Sequence, residues 1–116
     1  MHTAIITGAS VGIGRATAEA FLGEGFRVYN LSRRPCPVPG VDNINCDLSS
    51  AVAIAQACKT LEAAIVGSES VALVHNASQM LKDSATDCDS DRLRHVLETN
   101  VVGINSLNQQ LLPRLP

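Results

Sequence analysis

The stretch Thr7–Gly14 reads TGASVGIG and lies between a short apolar run and an alanine-rich segment. A strand, a glycine-rich loop and a helix in this order favour phosphate binding, because glycines let the backbone turn tightly and approach a ligand closely. Gly8 allows the turn off the strand, Gly12 leaves room for a diphosphate, and Gly14 lets the helix pack on the sheet. The free amides at the start of the helix then favour the phosphate charge. The stretch therefore predicts a dinucleotide site, with a glycine-rich turn that binds nothing as the alternative.

Short apolar runs alternate with segments of helical periodicity along the rest of the chain. The predicted strands are Ala4–Thr7, Phe26–Ser32, Asn43–Cys46 and Val71–His75. The predicted helices run from the residues after Gly12 to near Gly23–Gly25, from Ser49 or Ser50 to about Ile65, and from the region Asp89–Asp91 to Pro113. The third strand is polar enough for a sheet edge, whereas the fourth is continuously apolar and should be covered on both faces.

This alternation predicts an α/β fold with a parallel sheet and right-handed crossovers. We expect a Rossmann-like doubly wound sheet, truncated after the fourth strand and the following helix, in a single domain over residues 1–116.

The bulk properties exclude several classes of protein. Hydrophobic residues make up 46% of the 116 residues and charged residues 17%, which indicates a globular chain. The net charge of −2 gives no reason to expect nucleic acid or an anionic membrane as a partner. No apolar run approaches the roughly 18 residues of a membrane span. Four scattered cysteines without a C-x-x-C pair predict no metal site and a reducing, cytoplasmic location.

The spacing G-x-x-x-G-x-G resembles the fingerprint of the short-chain dehydrogenase/reductase family, and further motifs follow in the family's order. Asp47, after the third strand, looks like the aspartate that contacts adenine in that family. The segment His75–Ser78, HNAS, resembles the family's N-N-A-G. Asn100, within TNVVG at Thr99–Gly103, looks like the catalytic asparagine that bends its helix around a water site. The resemblance implies the nucleotide-binding half of an oxidoreductase that interconverts a small-molecule carbonyl and an alcohol.

Each of these polar residues also has a structural interpretation. Asn76 could be a turn former and Asp47 a helix N-cap. Asn100 could be a buried amide bonded to a neighbouring carbonyl. Because Asp47 and Asn76 follow successive parallel strands, we expect them to meet at the crevice where such sheets bind ligands.

The end of the second strand predicts the coenzyme. An acidic residue there would accept hydrogen bonds from a ribose 2′-hydroxyl and repel a 2′-phosphate. This chain instead has Ser32, Arg33 and Arg34, with no carboxylate until Asp42. A guanidinium binds phosphate bidentately, so we predict NADP(H) over NAD(H), with Arg33 as the main 2′-phosphate ligand. The alternative is a pair of solvated loop arginines, and Val11 stands where many NADP-dependent members carry a basic residue.

The predicted site consists of residues from four loops and one helix. Asn100 is the predicted catalytic residue, and the predicted cofactor-binding residues are Gly8, Ser10, Val11, Gly12, Ile13, Gly14, Ser32, Arg33, Arg34, Asp47, Leu48, Asn76, Ala77 and Ser78.

The family's Tyr-x-x-x-Lys pair is absent from these residues. The only tyrosine is Tyr29, and an arginine stands four positions later. We therefore expect the N-terminal part of a longer enzyme, with negligible turnover by this chain alone. An NADP(H)-sensing module without chemistry and an assembly-only remnant are the alternatives. Without further strands, the fourth strand would become an open sheet edge. This edge and the apolar stripe of the last helix predict a homo-oligomer. His75 and Ser78 replace the first asparagine and the glycine of N-N-A-G, and we assign His75 no catalytic role.

Overall fold

The structure is a computed structural model that describes all of residues 1–116. It contains the strands β1 (His2–Thr7), β2 (Arg27–Ser32), β3 (Val41–Asn45) and β4 (Ser70–Val74). The helices are α1 (Gly12–Gly23), α2 (Ala51–Ile65), α3 (Ser90–Leu97) and α4 (Gly103–Leu111). A π-helical turn, Glu98–Val102, joins α3 directly to α4, and a 3-10 turn, Leu112–Arg114, follows. None of the helices combines the length and the apolar content that crossing a membrane requires.

The four strands form one parallel sheet in the order β3-β2-β1-β4. The chain moves outward from β1 to β2 and β3, and then returns to the other side of β1 for β4. This reversal makes the ends of β1 and β4 a topological switch point, the position at which doubly wound sheets bind ligands. The predicted Rossmann-like α/β fold is confirmed.

Alternate residues of β1 face two separate hydrophobic clusters. Ile5 packs with α2 and α4 in a cluster that includes Leu61 and Leu107. Ala4 and Ile6 face the opposite way and pack with α1. Because the central strand is covered on both faces, it holds the loop that follows it in a fixed place.

Two details differ from the sequence-based expectations. The strand β4 is only partly covered, since Val71–Val74 are half-buried while they pack alternately against the two clusters. It pairs with β1 alone and forms the second edge of the sheet, opposite the predicted edge strand β3. The last predicted helix is also not a uniform α-helix, because the π-helical turn widens it in the middle.

Leu107 provides a test of this core. Its side chain is 0% exposed between α4 and the sheet, whereas Leu112 is 51% exposed. We expect Leu107→Ala to lower the free energy of unfolding by about 2–5 kcal/mol, because it opens a cavity in the core. Leu112→Ala is the matched control and should cost less than about 1 kcal/mol. Urea unfolding of both variants measures the difference, and equal losses would contradict this packing.

Candidate functional site

A cleft of about 450 Å³ opens at the carboxyl ends of the strands. All four strands supply it through the loops that follow them. The lining consists of Gly8, Ser10 and Val11 after β1; Leu31, Ser32, Arg33 and Arg34 around the end of β2; Cys46, Asp47 and Leu48 after β3; Asn76, Ala77, Ser78 and Gln79 after β4; and Thr99 from the π-helical turn. The structure thus brings most of the predicted residues together. Gly12, Ile13, Gly14 and Asn100 lie outside this lining.

The first turn of α1 has no capping side chain. Its N-cap residue is Val11, which makes no side-chain hydrogen bond to the helix, and the turn holds no acidic residue. By contrast, Ser50 Oγ accepts from Ala53 N–H in α2, and the Asp89 carboxylate accepts from Arg92 N–H in α3. The first amides of a helix have no partner within it, so those of α1 are left for a ligand. Gly12 and Ile13 are both exposed at this point.

Gly8 and Gly14 allow the loops around the cleft to pack closely. Gly8 adopts a φ of +71°, and a Cβ there would lie 2.9 Å from Ala77 Cα. A Cβ on Gly14 would overlap the Gly8 carbonyl and the Asn76 side-chain amide. The start of α1 therefore contacts both the loop after β1 and the loop after β4, and neither position accommodates a side chain.

The loop after β4 is hydrogen-bonded to the end of β1. Asn76 N–H and Ala77 N–H both donate to Thr7 Oγ1, at 3.1 and 3.0 Å. Asn76 Nδ2 donates to the Gly8 carbonyl at 3.0 Å. Asn76 thus joins the two loops at the switch point, and it presents the segment Ala77–Ser78 to the cleft.

Asp47 lies in the cleft as an ionised carboxylate. Its Oδ1 accepts from Ser49 Oγ at 2.7 Å and from Ser49 N–H at 2.9 Å. These hydrogen bonds hold the pKa of Asp47 below its ordinary value against partial burial, and the charges of Arg33 and His95 lower it further. The N-cap of α2 is Ser50, so the interpretation of Asp47 as that helix's cap is wrong.

Arg33 and Arg34 follow β2 as exposed cations without an acidic partner. Neither forms a salt bridge, and the carboxylate nearest in sequence, Asp42, pairs with Arg27 at 3.4 Å. Ser32 Oγ accepts from Arg34 N–H at 3.3 Å, which leaves the hydroxyl proton free to donate. This side of the cleft therefore suits an anion.

Asn100 lies in the π-helical turn, where Gly103 N–H donates to the backbone carbonyl of Glu98, five residues earlier. Both polar atoms of its side chain bind the backbone of Gln79. Gln79 N–H donates to Asn100 Oδ1 at 2.7 Å, and Asn100 Nδ2 donates to the Gln79 carbonyl at 2.8 Å. The amide holds the end of the β4 loop, as its structural interpretation expects, and its catalytic role stays a prediction.

Gly103, the last residue of TNVVG, brings this helix against the loop after β3. A Cβ at Gly103 would overlap the Leu48 carbonyl. The close contact fixes Leu48, and with it Asp47, relative to the π-helical turn.

The sequence-based prediction missed four lining residues, namely Leu31, Cys46, Gln79 and Thr99. Gln79 and Thr99 are neighbours of predicted residues, and Thr99 Oγ1 donates to Gln79 Oε1 at 3.3 Å. Burial, with the nearby Cys58 and Asp47, raises the pKa of Cys46 to about 11, so it is a protonated thiol on the cleft floor. The one sequence signal for Cys46 as a lining residue is its place among buried residues at the end of the third strand.

Two residues lie outside the cleft for clear reasons. His75 turns away from it and makes a 2.7 Å hydrogen bond between Nε2 and Asn108 Oδ1 of α4. Tyr29 is 6% exposed within the core, where burial raises the pKa of its hydroxyl against the opposing charge of Arg27. The one tyrosine of the chain is therefore not an acid or base of this site.

The sequence matches one family model and is similar to curated dehydrogenases. The family model described as short chain dehydrogenase matches residues 2–116. A short-chain dehydrogenase/reductase of Pestalotiopsis microspora is 29% identical over 119 residues, which cover 97% of this chain and 42% of that protein. A farnesol dehydrogenase of Aedes aegypti is 32% identical over 120 residues, covering 92% and 48%. The chain thus spans less than half the length of these relatives.

Solved structures share the fold. The ligand-free aldohexose dehydrogenase of Thermoplasma acidophilum superimposes with a TM-score of 0.86 at 26% identity, covering 98% of this chain and 44% of that one. A short chain dehydrogenase of Leptospira borgpetersenii with bound NAD+ gives 0.84 at 22% identity, covering 97% and 45%. An NADPH-bound carbonyl reductase from chicken fatty liver gives 0.82 at 20%, covering 97% and 50%. The last two show the fold alone. With the family model matched from residue 2 to residue 116, this chain belongs to the short-chain dehydrogenase family.

Proposed function

We propose that the cleft binds NADP(H) for a dehydrogenase or reductase that interconverts a small-molecule carbonyl and an alcohol. One observation carries this proposal: the uncapped start of α1 and two unpaired arginines adjoin a single cleft. A dinucleotide with a 2′-phosphate needs both features, because it carries negative charge at two separate points. Members of the family use nicotinamide cofactors, and the solved structures of this fold include one with NAD+ and one with NADPH.

The diphosphate is assigned to the start of α1. The amides of its first turn lack protein acceptors, and the helix dipole favours negative charge there. Ser10 and Val11 line the cleft beside this turn, and the exposed Gly12 and Ile13 complete it. The diphosphate-binding role proposed for these residues rests on the unpartnered amides beside the cleft.

The 2′-phosphate is assigned to Arg33, with Arg34 and Ser32 beside it. Both guanidiniums are exposed and neither forms a salt bridge, and a guanidinium pairs bidentately with phosphate. No acidic residue that would select a free 2′-hydroxyl follows β2 before Asp42, and Asp42 pairs with Arg27. This charge pattern favours NADP(H) over NAD(H).

The remaining cleft residues are assigned to the adenine and nicotinamide ends. The free oxygen of Asp47 would accept from the adenine amino group, with Leu48 beside the ring. Asn76, Ala77 and Ser78 would hold the nicotinamide ribose, and a bound cofactor would supply hydride-transfer chemistry at that end. Asn100 supports this end of the site by holding Gln79 in place.

NADP(H) binding without chemistry is a second candidate for these 116 residues. The absence of a Tyr-x-x-x-Lys pair and the core location of Tyr29 favour it. A Tyr-x-x-x-Lys pair in a longer protein that contains these residues, together with NADPH turnover by that protein, would identify the enzyme.

Arg33→Ala tests the coenzyme assignment. We expect wild-type protein to bind NADPH at least about tenfold more tightly than NADH, since a phosphate–guanidinium pair contributes about 1.5–3 kcal/mol. Arg33→Ala should remove most of this preference by weakening NADPH binding alone. Arg27→Ala, at the opposite end of β2, is the control and should leave both affinities unchanged. Calorimetric titration measures them, and equal affinities of the wild-type protein for the two coenzymes would overturn the assignment.

The assembly proposed for this chain is a homo-oligomer formed through the last helix. Leu93, Leu97 and Val101 repeat at intervals of four residues, and they are 45%, 46% and 58% exposed. Such an apolar stripe on a surface helix favours contact with an identical stripe on a second copy.

Leu97→Glu tests this assembly. A buried carboxylate at a dimer contact is strongly unfavourable, so the variant should sediment as a monomer at concentrations where the wild-type protein associates. Gln109→Glu adds the same charge at an exposed position of α4 and should leave the association unchanged. A wild-type protein that stays monomeric at about 100 μM, a concentration far above a micromolar dissociation constant, would refute the proposal.

A further inference from the structure

Asn30 is a buried amide in the otherwise apolar centre of β2. Its side chain is 1% exposed, and every hydrogen-bonding hydrogen of the amide is used. Oδ1 accepts from Ala9 N–H at 2.9 Å, while Nδ2 donates to the Arg34 carbonyl at 3.2 Å and to Asn43 Oδ1 at 3.0 Å. A buried amide is costly unless it is fully bonded, so this one fixes its three partners relative to each other.

The partners of Asn30 belong to the two phosphate-facing loops. Ala9 lies inside the fingerprint, between Gly8 and Ser10 of the cleft lining. Arg34 belongs to the cationic loop on the other side of the cleft. One side chain therefore sets the distance between the loop assigned to the diphosphate and the loop assigned to the 2′-phosphate.

Asn43 completes the connection from the edge strand β3. Its Oδ1 accepts from Cys36 N–H at 2.8 Å in addition to Asn30 Nδ2, and its Nδ2 donates to the Cys36 carbonyl at 3.5 Å. The backbone of the cationic loop is thus held at Arg34 and again at Cys36. Cys36 is itself 4% exposed, which anchors the loop in the core.

We propose that the Asn30–Asn43 amide pair is the positioning device that holds the arginine loop in the geometry required for a 2′-phosphate, so that it determines NADP(H) selectivity. Neither asparagine lines the cleft, and both act through the backbone of the residues that do. The inference rests on the proposed function, because it presupposes that Arg33 or Arg34 binds the phosphate. An arginine side chain is long and flexible, so its charge recognises a phosphate selectively only where the backbone beneath it is fixed.

The two variants should differ in which part of the cofactor they affect. Asn43→Ala removes the bonds to Cys36 and one bond of Asn30, all on the arginine side. We expect it to weaken NADPH binding about tenfold, a loss comparable to one or two hydrogen bonds, and to change NADH binding by less than about threefold. Asn30→Ala also releases Ala9, so it should weaken both coenzymes.

Asn45→Ala is the matched control. Asn45 lies on the same strand, two residues from Asn43, and its side chain makes no hydrogen bond. Calorimetric titrations with NADPH and NADH give the ratio of affinities, and amide hydrogen exchange reports the loop directly. The hydrogen-exchange rate of the Cys36 amide should rise in Asn43→Ala and stay at the wild-type value in Asn45→Ala.

The outcomes separate this inference from the function on which it rests. Wild-type protein with equal affinities for NADPH and NADH overturns the proposed function. If Asn43→Ala keeps the wild-type ratio of NADPH affinity to NADH affinity within about twofold, only the positioning role is overturned. A twofold change is well below the effect of losing one hydrogen bond. Equal weakening of both coenzymes by Asn43→Ala also overturns it, because that pattern indicates general destabilisation. If Asn30→Ala fails to fold, Asn43→Ala on the exposed edge strand still decides the matter.

Discussion

The uncapped first turn of α1 is the constraint around which the rest of the structure is arranged. Helices leave their first amides without intrahelical partners, and α2 and α3 satisfy one of theirs with Ser50 and Asp89. In α1 the corresponding residue is Val11, whose side chain has no polar atom to accept a hydrogen bond. A nearby anion stabilises such amides, so this turn is suited to binding an anion, whereas the first turns of α2 and α3 are capped by side chains.

The sheet fixes the position of this turn relative to the other loops that line the cleft. The central strand β1 is covered by a cluster on each face, and the loop that follows it is hydrogen-bonded to both neighbouring loops. Asn30 connects it to the arginine loop, and Thr7 with Asn76 connects it to the loop after β4. The charges at the cleft thus lie on a backbone fixed by buried polar contacts, which is the support that a binding site for two distant phosphates requires.

Much of this fold could be predicted from the sequence because its signals are local. Glycine spacing, strand and helix periodicity and the residues after each strand identified the loops, and parallel topology brings those loops to one edge. The apolar pattern of β4 predicts full cover on both faces, whereas its half-burial follows from its place at the open edge of the sheet. The hydrogen bonds of Asn30 could not be predicted, because its partners Ala9 and Asn43 lie 21 and 13 residues away. A polar residue within an apolar strand is a signal, but its partners appear only in the folded chain.

A crystal structure of the protein with NADPH tests the central claim most directly. The account predicts diphosphate oxygens within about 3.2 Å of the backbone nitrogens at the start of α1, the ordinary limit of an N–H···O hydrogen bond. It also predicts the 2′-phosphate against Arg33. A nucleotide bound elsewhere, or no nucleotide at this turn under saturating NADPH, would contradict the account.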